Sequence, residues 1–132
     1  MGTFTLAGAV GARFAGRDAD CSTRFKGRYQ MAVHDTINGD RYLIGVNIFP
    51  PFAVPLTRRL PDGVGLMQLF VTDRTNGQSW DDLETGSNAT VTISGWNGGT
   101  IAGDLAPARE ASVPPPAGPL HIEGRWACTF TP

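Results

Sequence analysis

Two histidines, two cysteines and a scatter of carboxylates are the side chains in this 132-residue chain with the most obvious capacity for chemistry. His34 precedes Asp35, and His121 stands two residues from Glu123. A zinc-type centre needs three or four converging ligands. Neither an HxH nor a CxxC spacing occurs, so both histidines read as solvated surface groups. Serine chemistry would need a nucleophile held in a sharp turn such as GxSxG, which is also missing from the sequence. Asp73, Asn76, Asp81 and Asp82 put four oxygen-bearing side chains within ten positions. Calcium is held by such groups, but the spacing is not that of an EF-hand loop and no glutamate closes it. Turn and cap duties are the expectation for these four. No catalytic residue, metal site or cofactor is expected. Asn88-Ala89-Thr90 matches the glycosylation sequon, which matters only in a eukaryotic secretory host.

Apolar and aromatic residues in or beside loops are the better candidates for contact with something else. Phe49, Phe52, Leu56, Trp80 and Trp96, with Val54 among them, are of this kind. Aromatic loop residues at one end of a β-scaffold can hold a small apolar ligand or a glycan. The competing reading is that they plug the open end of the fold.

Composition narrows the partners. The net charge is −1 and the basic residues are dispersed, so no nucleic-acid partner is expected. No apolar run reaches the length of a membrane-spanning helix. The length suits one domain over residues 1–132. With 17 Gly and 10 Pro, turns should be frequent and long helices rare.

The elements that must position these groups read as strands. Leu120–Phe130 alternates strictly, with Leu120, Ile122, Gly124, Trp126, Cys128 and Phe130 on one face. Thr3–Gly16 alternates with a bend or bulge expected at Gly8 and Gly11. Arg17–Ser22 reads as a polar turn and Arg24–Val33 as a strand. Asn38-Gly39 signals a hairpin into the strand Arg41–Phe49. Pro50–Pro61 reads as an unpaired apolar loop, because proline has no N–H for a ladder. Gly63–Thr72 is a further strand. Ser79–Asp82 has the spacing of one helical turn. Asn88–Gly95 and Thr100–Leu105 flank a second hairpin signal at Trp96–Gly99, and Pro107–Pro119 is a loop. Seven or eight strands with almost no helix predict an all-β fold, an antiparallel β-sandwich or a small closed β-barrel.

Cys21 and Cys128 lie near opposite ends of the chain. Cys21 falls in the polar turn, where a thiol has no packing role, which favours a disulfide over two buried free thiols. A disulfide would put the protein outside the reducing cytosol. Met1–Gly16 lacks a basic start and alternates through Arg13, so it reads as strand and any export leader is expected outside this sequence. A cytoplasmic location is the alternative.

The layout weakly resembles the small actinobacterial lipoprotein antigens of the mycobacterial 19-kDa type. The shared features are RDADCSTRF after the first strand, NATVTISGWNGGTIAGDL, and LHIEGRWACTF at the end. The resemblance implies a bacterial, exported β-domain with a disulfide between those cysteines, and no catalytic residues. The lipidated N-terminal cysteine of that family is missing here, and the Pro-rich loop does not align.

Two packing expectations follow. Trp126 belongs to the core. Arg41–Phe49 and Gly63–Thr72 are apolar on both faces, so a second face must be covered, either by the loop Pro50–Pro61 or by a second copy of the chain. A homo-oligomer would then form through Leu43, Phe49, Met67, Leu69 and Val71. The functional expectation is a non-enzymatic extracytoplasmic binding or assembly module. The alternatives are a lipocalin-like barrel whose apolar cavity carries a ligand or catalyses a cyclisation or isomerisation, and a structural subunit of a virion or surface assembly.

Overall fold

The computed structural model describes residues 1–16, 19–108, 116 and 118–132. Twelve strands form: β1 Gly2–Gly8, β2 Ala12–Gly16, β3 Ala19–Ser22, β4 Tyr29–Ile37, β5 Asp40–Ile48, β6 Leu56–Leu60, β7 Met67–Asp73, β8 Gln78–Asp81, β9 Asn88–Gly95, β10 Gly98–Pro107, β11 Leu120–Ala127 and β12 Thr129–Thr131. No helix occurs among the described residues. The strands join edge to edge in the order β12-β3-β4-β5-β7-β8-β10-β11-β1-β2, with β9 and then β6 branching from β10. This ten-strand path curls into a half-barrel. The all-β class is as expected, but a closed sandwich or barrel of seven or eight strands is not what forms.

The curl turns on β10. Its residues Gly98–Leu105 pair with β11, whereas Ala106 and Pro107 pair with Asp81 and Trp80 of β8. The two halves of the sheet thus enclose one hydrophobic core, with Phe4, Phe14, Tyr29, Met31, Leu69 and Ile101 among its largest side chains. The hairpin at Asn38-Gly39 is present, and both residues take the positive φ that its turn demands (52° and 86°).

Three short strands lie where none was expected. The segment Leu56–Leu60 contains no proline; Pro55 and Pro61 only bound it, so its N–H groups are free to pair with β9. The stretch read as the turn Arg17–Ser22 holds β3, which pairs with β4 and buries Cys21. The expected helical turn at Ser79–Asp82 is part strand: β8 pairs with β7 and turns Trp80 inward. The run Thr3–Gly16 turns at Gly8–Gly11, where the bend was expected, and folds back there into two paired strands. The final strand is also broken. Its alternation holds through Trp126, then the chain crosses at Cys128 and β12 runs parallel to β3. Phe130 and Cys128 still pack against the edge of the core, but only half-buried and, for Phe130, from the other half of the sheet.

The apolar second face is smaller than the sequence suggests. Met67, Leu69 and Val71 point into the core and are fully buried, so they cannot form an oligomer face. The outer face holds half-buried Leu43 and Phe70. Phe70 lies over Gly45, the residue opposite it, and a Cβ there would collide with the ring. Phe49 is half-buried under the Arg28 guanidinium, 4.4 Å from the ring centre, with Phe25 also against that guanidinium at 5.2 Å.

Candidate functional site

The aromatic residues of one end gather around the disulfide. Cys21 of β3 and Cys128, between β11 and β12, are bonded with their Cα atoms 5.9 Å apart. Beside them lies the tip of the β9–β10 hairpin, Trp96-Asn97. Its backbone is tied down twice. The Tyr29 hydroxyl donates to the Trp96 carbonyl at 3.2 Å and lies 3.3 Å from Cys21 Sγ. The Cys128 N–H donates to the Asn97 carbonyl at 2.8 Å. The Ser94 hydroxyl donates to the Gly98 carbonyl across the turn at 3.0 Å.

The Trp96 ring is fixed by three others. Phe130 of β12 stacks on it at 5.0 Å between centroids, Phe52 meets it edge-on at 5.7 Å, and Tyr29 is tilted at 6.0 Å. Trp96 is nevertheless 37% exposed, whereas Trp80 and Trp126 are only 2% and 3% exposed. A large apolar ring held rigid at the surface can serve as a contact platform, because little conformational freedom remains to be lost on binding.

Next to the platform is a cleft of about 440 Å³ on the outer face of β9, β10 and β11. Trp96, Trp126, Ala127 and glycines 95, 98 and 99 make up most of its lining, and Ser94, Asn97, Thr100 and Arg125 supply its polar groups. Arg125 is placed there by strand alternation: Trp126 goes inward, and the neighbouring residue goes outward opposite Thr100. Among the described residues Arg125 makes no ion pair. Glu123, two positions back on the same face, is turned toward His121 instead.

Two titratable groups near these strands depart from their ordinary values. Burial pushes the Tyr29 phenol upward, with the Trp126 indole N–H near enough to oppose the shift slightly. That N–H has no partner at hydrogen-bonding geometry. His121 lies between two carboxylates, with Nδ1 2.9 Å from Asp104 and Nε2 3.2 Å from Glu123. Hydrogen bonds to Asp104 and then Glu123 raise its pKa, because they favour the imidazolium.

The far end of the half-barrel has a second cleft of about 380 Å³, where His34 and Asp35 meet Arg41 and Arg74. The Asp35 carboxylate accepts the Ala15 and Thr36 N–H groups, which accounts for both its oxygens. Among the described residues, no group of three or more His, Cys, Asp or Glu side chains is arranged to hold a metal. Of the four oxygen-bearing residues weighed for calcium, Asp73 caps its own turn through Thr75 and Asn76. Asp82 instead accepts the Leu69 N–H at 2.9 Å.

The structure brings together two of the five residues singled out from sequence, Phe52 and Trp96. Leu56 lies on β6, half-buried against the core. Phe49 belongs to the Arg28 stack, and Trp80 is buried with its indole N–H donating to the Gly118 carbonyl at 2.9 Å. Tyr29, Phe130 and Arg125 join the site without having been singled out for it. Strand alternation placed Arg125 on the outer face, but its neighbours come from strand register. No protein-family model matches the chain, and no curated protein or solved structure matches it.

Proposed function

We propose that this chain is an extracytoplasmic binding module whose contact surface is the aromatic end centred on Trp96. The observation that carries the reading is the half-exposed Trp96 ring, held by Phe130, Phe52 and Tyr29 beside the Cys21–Cys128 disulfide. The disulfide fits an oxidising compartment, in line with the exported setting implied by the resemblance. Between the curled halves of the sheet the space is occupied by core side chains, which favours a surface contact over an enclosed ligand.

The test is a printed array of glycans and lipids probed with the oxidised protein and with Trp96→Ala. The expected result is a class of signals lost in Trp96→Ala and kept in Arg41→Gln at the far end. Signals that survive Trp96→Ala, or a blank array, would refute the reading.

A further inference from the structure

We infer that the cleft beside Trp96 takes a carboxylate-bearing sugar, a pyranose uronic acid unit, with its ring on the indole and its carboxylate on Arg125. This rests on the reading of Trp96 as a contact platform and names the ligand class. Three observations carry it. First, Arg125 is the one charged side chain lining the cleft, and it has no ion-pair partner among the described residues. A planar guanidinium with unused donors matches a carboxylate in two-pronged geometry.

Second, the Ser94 and Thr100 hydroxyls and the Asn97 amide stand in a lining that is otherwise apolar, formed by Trp96, Trp126, Ala127 and three glycines. The Ser94 hydroxyl donates to Gly98 and so offers its oxygen to an incoming donor. Thr100 and Asn97 are exposed on the same surface. Alternating donors and acceptors beside an aromatic ring suit a pyranose, which presents C–H groups on one face and hydroxyls at its rim. The volume of about 440 Å³ lies within the range of small-ligand sites.

Third, the strand arrangement disfavours a peptide. The cleft lies over β10, which already pairs with β9 on one side and β11 on the other. A peptide adding as a strand needs an open edge, and the cleft has none beneath it. The three glycines in its lining offer no side-chain pocket to a peptide.

The experiment is titration of the oxidised protein with trigalacturonic acid and, separately, with the neutral galactose trimer. Trp96 emission and the backbone amide shifts of Ser94, Trp96 and Thr100 are followed. The acidic trimer should bind at least about tenfold more tightly than the neutral one, as expected for a charge-assisted pair. Arg125→Gln should remove that preference and Arg125→Lys should restore part of it. Arg125 is exposed and outside the core, so these variants should keep the wild-type melting temperature. Trp96→Ala should lose both ligands. Equal binding of the two trimers, or a preference unchanged in Arg125→Gln, would overturn the carboxylate assignment. No response to either trimer, with Trp96-dependent signals on other array classes, would overturn this inference and leave the binding-module reading standing. Trp96-dependent binding of an acidic peptide, with no response to the trimers, would overturn it in favour of a protein partner.

Discussion

Reducing the Cys21–Cys128 bond should lower stability sharply and release the Trp96 platform. The two cysteines are 107 residues apart in sequence. On the chain-entropy account a closed loop of that length removes about 16 cal/mol/K from the unfolded ensemble, or roughly 4.8 kcal/mol at 25 °C. With an unfolding entropy near 2.1 cal/mol/K per residue, a domain of this length should lose up to about 17 °C in melting temperature. Opening the bond also frees the Cys128 step, whose N–H holds the Asn97 carbonyl and whose continuation places Phe130 on Trp96, so the hairpin tip should loosen while the core packing stays. The assay is thermal melting by circular dichroism with and without a phosphine reductant, with free thiols counted to show that the bond has opened. Trp96 emission is followed in parallel, since Trp80 and Trp126 are buried and should respond only on global unfolding. Melting curves that coincide within about 5 °C once both thiols are free would refute the argument. So would a red shift of emission only at the global transition, because it would mean that the disulfide does not hold the hairpin tip.

Three further outcomes are expected. Trp126→Ala should cost roughly 3–5 kcal/mol by lost burial and a cavity, read from urea unfolding; an unchanged midpoint would contradict its core placement. Gly45→Val should displace Phe70 and cost about 1–3 kcal/mol as an overpacked site; wild-type stability would mean that the ring is not seated on that glycine. The Asp62 carboxylate accepts the N–H groups of Val64, Gly65, Leu66 and Met67. Burial would raise its pKa, but these four donors outweigh it and bring the pKa below the ordinary 3.8. Its stabilisation is therefore full above the ordinary value and lost as pH falls through the lowered one. Asp62→Asn should flatten that acid limb of the stability–pH curve, and an unchanged limb would refute the assignment.

Local signals in the sequence carried most of the fold. Asn38-Gly39 marks its turn because few other dipeptides tolerate two positive φ angles, and the alternation of Leu120–Trp126 sets the core face of β11. The short strands β3, β6 and β8 were hidden for a physical reason: four or five residues give no periodicity that separates strand from turn. For β7 the alternation was plain but its polarity was not, since Phe70 and Leu69 are equally apolar. The choice is made across the sheet, where Gly45 leaves space for one outward ring. The candidate site was legible only in part, because its members meet through register. Thr100 stands beside Arg125 only because β10 pairs with β11 in that alignment. Phe130 reaches Trp96 only because the chain crosses at Cys128.

That crossing links the parts of the proposed contact surface. Had β11 continued straight, Cys128 would not stand next to Cys21 and Trp96 would have lacked its stacking partner. The break sends β12 to β3, next to Cys21, and the disulfide fixes the step. The same step lets the Cys128 N–H hold the Asn97 carbonyl and brings Phe130 onto the indole. Strand crossing, covalent bond and aromatic platform are thus one device. The disulfide adds a covalent tie to the contacts that hold the hairpin tip, and such a bond persists in an oxidising compartment, which fits the extracytoplasmic setting proposed for the contact.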